Sequence, residues 1–159
     1  MFIVLVNRNA GWTRDQRLDR LLARLQRSLG ADGQVLVTGH AGEVRAALAG
    51  PDPARITALV PVGGDGTLSG VLTAACACWG ADALPPVLPL RAGTMNMVAL
   101  DVRQGQREAP LDTLARVLRA HRAGRAPCFT ERALLQSGCG RAGFVAGLGM
   151  PTRFLAHYD

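Results

Sequence analysis

The chain opens on a continuous apolar run, Phe2 to Val6, which predicts a strand buried on both faces. A polar loop from Asn7 to Trp12 follows. From Arg14 the apolar positions Leu18, Leu21, Leu22, Leu25 and Leu29 form one helical stripe that stops at Gly30. Val35 to Val37 reads as a short strand closing at Thr38, and Glu43 to Leu48 as a helix before Gly50-Pro51. Ala58 to Val62 is a second buried strand that runs straight into Gly63-Gly64-Asp65-Gly66-Thr67. Leu68, Val71, Leu72, Ala75 and Trp79 then give another helical stripe, with Thr67 a natural N-cap. A strand from Val87 to Leu90 leads into Gly93-Thr94-Met95-Asn96, and a helix is predicted from about Pro110 to Arg122.

Strand and helix alternate up to Gly124, which predicts a three-layer α/β domain: a parallel sheet with helices on both faces. The pattern changes there. Cys128 to Gln136 is extended in character, Ser137 to Gly140 is a turn, and Phe144-Val145 starts another strand. An antiparallel hairpin is expected, with a short helix over Pro151 to Tyr158 after it. The predicted division is therefore an α/β domain over 1–124 and the beginning of a β-rich unit, left incomplete, over 125–159.

Composition alters this picture little. An apolar fraction of 48% fits a globular chain, and 159 residues hold one ordinary domain or one small domain plus part of another. All 18 basic residues are Arg, and the net charge is +6. Arg suits acidic ligands or an anionic membrane face, although an Ala-, Gly- and Arg-rich genome explains the same bias. Scattered Arg and only 4% aromatic residues argue against nucleic acid. Cys76, Cys78, Cys128 and Cys139 lack zinc-site spacing and read as small, buried or half-buried groups in a reducing compartment. Without a basic leader or an apolar span of membrane length, a cytoplasmic protein is expected, peripheral to the inner membrane face at most. Arg116, Arg119, Arg122 and Arg125 could face such a membrane, a solvated helix face being the simpler reading.

Three loops follow predicted strands and precede helices: Asn7 to Gly11, Gly63 to Thr67, and Gly93 to Asn96. A parallel sheet brings such loops to one edge, where ligands of open α/β sheets sit. Glycines permit positive φ, turn amides toward one point and leave room for a bulky anion, while the following helix adds its positive end. Asp65 is the odd member, since a carboxylate repels phosphate. It meets a cation or a substrate hydroxyl, or it braces the loop through backbone amides.

Val62-Gly63-Gly64-Asp65-Gly66-Thr67-Leu68, then Pro89 and Gly93-Thr94-Met95-Asn96-Met97-Val98-Ala99, resembles the diacylglycerol kinase catalytic-domain family, which includes bacterial lipid kinases and the sphingosine and ceramide kinases. The resemblance covers about residues 2–102 with specific motifs. It implies a nucleotide-binding α/β domain followed by a β-sandwich domain, and transfer of the γ-phosphate of ATP, with Mg2+, to the hydroxyl of diacylglycerol or a related lipid. By the same resemblance Asn7 and Gly11 flank the nucleotide and Thr38 contacts it. Gly63, Gly64, Asp65, Gly66 and Thr67, with Ser69, wrap the phosphates, and Gly93, Thr94 and Asn96 close the site. Asp65 is the expected catalytic position. The resemblance puts the base and the magnesium ligands in the second domain, beyond residue 159, so no metal ligand is assigned within the chain. A homo-oligomer is compatible with it.

Three positions depart from the family pattern. Arg8 stands where Pro is usual, Arg91-Ala92 precede Gly93 where many members run directly from Pro-Leu into Gly-Thr, and Met97 replaces Asp or His. Two other readings share the central loop. NAD kinases also use Gly-Gly-Asp-Gly-Thr, but they carry an Asn-Glu or Asn-Asp pair and a Gly-Thr-Leu-Gly-Phe-like stretch that are absent here. A truncated, non-catalytic nucleotide-binding module would bind ATP without turnover.

Overall fold

The computed structural model describes residues 1–15, 18–102, 108–125 and 128–144. Four parallel strands form the main sheet: β1 (Phe2–Asn7), β2 (Gly33–Thr38), β3 (Ala58–Gly63) and β4 (Leu90–Arg91), in the order β2-β1-β3-β4. Alternation along β1 divides its side chains between two cores. Phe2, Val4 and Val6 join Leu21, Leu25 and Leu29 of α2 (Leu18–Leu29) and Leu114 and Leu118 of α6 (Pro110–Arg122). Ile3 and Leu5 face α3 (Ala41–Leu48) and α4 (Asp65–Trp79), packing on Val44, Leu48 and Val71. Helices thus cover both faces, which is why β1 and β3 read as unbroken apolar runs.

From β1 the chain moves outward to β2 and then returns past β1 to β3. This reversal opens a crevice at the carboxyl ends of β1 and β3, the switch point of a doubly wound sheet. Asn7 and Gly63 are the last residues of those two strands.

Several boundaries differ from the sequence reading. Gly11 and Trp12 are not in a loop but open a short helix, α1 (Gly11–Asp15), after a turn in which the Ala10 amide donates to the Asn7 carbonyl. The strand expected over Val87 to Leu90 is interrupted. Leu88 donates to the Leu59 carbonyl and Ala92 to that of Gly63, but Pro61, midway on the same side of β3, has no N–H for the bond between them. Only the pair Leu90–Arg91 and an isolated bridge at Val87 remain. Pro89 is tolerated because β4 is an edge strand. Helix α4 begins three residues earlier than expected, so Thr67 lies inside its first turn and Gly64 is the N-cap.

The hairpin is present: β5 (Leu135–Gln136) and β6 (Ala142–Gly143) pair antiparallel. It is held on α4 by hydroxyls, the Ser69 Oγ donating to the Ala142 carbonyl at 2.6 Å and the Thr73 Oγ1 accepting the Ala142 amide at 2.9 Å. Val145 and the helix expected over Pro151 to Tyr158 lie outside the described residues. All four cysteines are free. Cys76 is buried, and burial raises its thiol pKa, whereas Cys128 and Cys139 are exposed, contrary to expectation, because they sit outside the α/β core. Arg122 does not simply face solvent. Its guanidinium donates to Asp32 and to the carbonyls of Ser28 and Leu29, capping the end of α2. No described helix is long and apolar enough to cross a membrane.

Candidate functional site

Two glycine turns meet at the carboxyl edge of β3 and β4. A Cβ built on Gly64 would lie 3.1 Å from the Gly93 Cα, and one on Gly93 would overlap the Gly64 Cα and nitrogen. The turns are in backbone contact. A Cβ on Gly63 would likewise collide with the Thr67 side chain. None of these glycines has a positive φ, so the sequence expectation of left-handed backbone is corrected: they are needed for close approach, not for turn conformation.

Helix α4 starts at this meeting point with no side-chain cap. Its first-turn amides have no acceptor four residues back within the helix, and the helix dipole favours negative charge there. Across the crevice the Asn7 Nδ2 donates to the Thr67 Oγ1 at 2.8 Å, tying the end of β1 to the first turn of α4. The side-chain oxygen of Asn7, Oδ1, accepts the Asn9 amide at 2.9 Å and folds its own loop.

Asp65 takes the bracing role among those its sequence left open. Its carboxylate accepts the amides of Met97 at 3.0 Å and Val98 at 3.2 Å, capping α5 (Met97–Asp101). Asn96 sits before that helix in left-handed conformation (φ 54°, ψ 42°) and is 5% exposed. Its side chain is clamped to both backbone groups of Gly93, accepting from the nitrogen at 2.9 Å and donating to the oxygen. An Asn tolerates this φ better than other L residues and supplies the turn-closing bonds. Asp65 therefore fixes the second turn against the first, and Asn96 closes the second turn on itself.

Thr38 is buried, pairs with Asn7 in the sheet register, and accepts the Arg8 amide through its carbonyl. Arg8 lies over Gly39 and pairs with Glu43 at 2.8 Å, while Glu43 also accepts the Gly39 amide at 2.5 Å. That amide and the Arg8 guanidinium hold the Glu43 carboxyl below the usual range. Arg8 thus ties its loop to the β2–α3 turn, a fixing that sequence reasoning did not anticipate.

The expected residues fall into three groups. Asn7, Gly63, Gly64, Asp65, Gly66, Thr67, Gly93 and Asn96 lie in the two turns or at the strand end facing them. Thr38 ends the neighbouring strand β2, Gly11 opens α1, and Thr94 is exposed on its turn. Ser69 lies further along α4 with its hydroxyl committed to the hairpin. Among the described residues no group of three His, Cys, Asp or Glu could hold a metal.

Beside the turns runs a groove of about 760 Å³, walled by Leu72, Val87, Val98, Phe129 and Leu134 together with Arg116, Glu131 and Arg132, and sharing Leu68 and Pro89 with the cleft at Gly63 and Gly64.

A sheet of this order, with its loops gathered over the β1–β3 crevice, defines a doubly wound α/β protein with a ligand edge at the strand carboxyl ends. Residues 1–126 match the model of the diacylglycerol kinase catalytic domain, and the chain belongs to that family. A solved structure of a diacylglycerol kinase from Bacillus anthracis str. Sterne is similar, with 19% identity and a TM-score of 0.58 over 76% of this chain and 40% of that one. Two further structures from the same strain give TM-scores of 0.58 and 0.54 at 19% and 20% identity, with 39% and 42% of their chains covered. The present chain thus spans about 40% of the length of these relatives. No curated protein matches it. Of the two kinase families that share the central loop, the lipid-kinase resemblance is the one the family match supports.

Proposed function

We propose that this chain is the nucleotide-binding part of an ATP-dependent lipid kinase, in which the Gly63–Thr67 turn holds the phosphates and the γ-phosphate passes to the hydroxyl of diacylglycerol or a related lipid. The observation that carries the reading is the backbone contact of Gly64 with Gly93 at the start of α4. It leaves an edge free of side chains where helix amides and dipole favour an anion. Asn7, Thr38, Gly11 and Thr94 are the neighbouring contacts in this reading. Asp65 acts as a positioning residue, because both its oxygens are engaged by α5 amides. The groove that continues from Leu68 and Pro89 offers a lipid apolar side chains such as Leu72, Val98 and Phe129, with Arg116, Glu131 and Arg132 among them, next to the phosphate edge.

The described residues fit a nucleotide but supply no metal cage. Mg2+ binds largely through substrate phosphates and water, with one or two carboxylates. In this reading it accompanies ATP, and it neutralises phosphate charge when bound. The remaining work of this chain is binding and orientation, which is most of what phosphoryl transfer asks of a protein. The division at residue 124 belongs to the same reading, with 125–159 starting the lipid-side unit. So does peripheral contact with an anionic membrane, to which exposed Met95 and Met97 would present apolar tips beside the site.

The engagement of Asp65 also favours a second reading, a module that binds ATP without turning it over. Calorimetry with ATP and an assay of the full-length gene product with labelled ATP and mixed lipids test both. ATP binding with a labelled lipid product supports the kinase, and binding without any product supports the module. Absence of ATP binding at millimolar concentration sinks both.

A further inference from the structure

Among the described residues only two buried side-chain polar atoms lack a hydrogen-bond partner: the Thr13 Oγ1 in α1 and the Arg91 Nε at the end of β4. Both elements stand at the carboxyl edge of the sheet. Leaving a buried donor unsatisfied costs free energy comparable to a lost hydrogen bond, and more when the group is charged. Such atoms concentrate where something absent from the polypeptide completes them.

Arg91 is the telling member. It pairs in register with Gly63, so its backbone is one strand spacing from the first residue of the phosphate turn. It is partly buried and makes no hydrogen bond or ion pair with any described residue. Several arginines are paired, Arg8 with Glu43, Arg116 with Glu108, Arg122 with Asp32 and Arg132 with Asp101, and others extend from the surface; among the described residues Arg91 is the arginine with a buried and unpartnered Nε. Asp65, the carboxylate that shares this edge, already accepts two α5 amides. A guanidinium is always charged and matches phosphate oxygens with its fork of donors.

We infer that Arg91 is a phosphate-binding residue, a cation at the end of β4 that contacts the phosphate chain of the nucleotide held by Gly63–Thr67. The inference rests on the nucleotide reading above and adds to it a charged ligand contact from the edge strand. Arg91 lies two residues before Gly93, the glycine that touches Gly64. It brings a cation to an edge whose other anion-binding groups are neutral amides.

The test is calorimetry on the full chain, with ATP, ADP and adenosine titrated into the wild type, Arg91→Met, Arg91→Gln and Arg91→Lys, and thermal unfolding of each protein without ligand. A charge-assisted hydrogen bond is worth enough to predict about a 10- to 100-fold loss of ATP and ADP affinity in Arg91→Met and Arg91→Gln. Arg91→Lys retains part of the affinity, and adenosine binding stays within twofold of wild type. Ligand-free Arg91→Met melts no lower than wild type, since it removes an unsatisfied buried donor. Arg91→Gln serves in the same comparison if Arg91→Met does not fold. Equal ATP affinity in wild type and a folded variant overturns this inference alone. A loss that is the same for adenosine as for ATP, accompanied by a lower melting temperature, overturns it in favour of a packing role. Failure of the wild type to bind ATP overturns the nucleotide reading and this inference with it. Anionic phosphatidylglycerol vesicles provide the last arm: if Arg91→Gln loses vesicle binding but keeps ATP binding, the cation serves lipid phosphate and the inference fails.

Discussion

The inner and outer loops of this sheet edge are fixed by different physics. At the ends of β3 and β4, Gly64 and Gly93 touch backbone to backbone, Asp65 reaches across to the first amides of α5, and Asn96 closes the Gly93 turn. At the ends of β1 and β2, Arg8, Gly39 and Glu43 are joined by an ion pair and one amide bond near the surface. The inner pair is steric: a single methyl group cannot be added without moving a backbone. The outer pair is electrostatic, so salt and acid loosen it while size changes matter less. A chain can therefore vary one rim of a binding edge while the other stays rigid.

The largest expected effect is at the contact itself. Gly93→Ala places a Cβ into the Gly64 backbone and should destabilise the domain by about 1–3 kcal/mol, as overpacking does. Denaturant unfolding measures that, and calorimetry should show ATP binding lost or weakened far beyond the change in folded fraction. Next comes Asp65→Ala, which uncaps α5. A lost helix cap costs about 1 kcal/mol, and Asp65→Asn, which keeps one acceptor, should cost less. A melting series of the two variants orders them; equal melting temperatures would remove the brace from the account.

The hairpin offers a control on the same helix. Thr73→Val deletes the acceptor of the Ala142 amide and should remove about 0.5–1.5 kcal/mol of net hydrogen bonding. Hydrogen exchange at Ala142 should quicken while ATP affinity stays as in wild type. A matching loss of ATP affinity would join the hairpin to the phosphate edge and blur the division between them.

The smallest effect belongs to the outer pair. The Glu43 pKa is depressed in the folded chain by the Gly39 amide first and Arg8 second. A depressed carboxyl stabilises the fold above its unfolded pKa, and that contribution is lost as pH falls through the folded value. Wild type should therefore lose slightly more stability than Glu43→Gln when the pH is lowered through and below the ordinary glutamate range. Parallel acid titrations of unfolding check the sign, and a steeper loss in Glu43→Gln would reverse it.

Much of this was legible in the sequence, for stated reasons. Strands buried on both faces appear as apolar runs, so Phe2–Val6 and Ala58–Val62 fall within a residue of the observed β1 and β3. The 3.6-residue stripe predicts α6 over its observed Pro110–Arg122 span. What pattern cannot show is which partner a polar group finds. The family resemblance makes Ser69 a phosphate contact, yet its hydroxyl meets Ala142, 73 residues on. Arg122 reads as a surface charge and caps α2 across a gap of 93 or 94 residues. The sequence suggests two uses for the glycines, positive φ and the absence of a Cβ, and the structure shows the second without the first. Pro61 was visible within an apolar run, but its effect on β4 depends on which side of β3 its missing N–H faces.

The central claim is that the paired turns at Gly63–Thr67 and Gly93–Asn96 receive the phosphates of a nucleotide. Amide chemical-shift mapping of the isotopically labelled chain tests it most directly, with ATP compared against adenosine. The account predicts that ATP moves the amides of Gly64, Gly66, Thr67 and Gly93 most, and that adenosine leaves them nearly in place. Shifts of equal size with adenosine, or ATP shifts centred away from the start of α4, would contradict it.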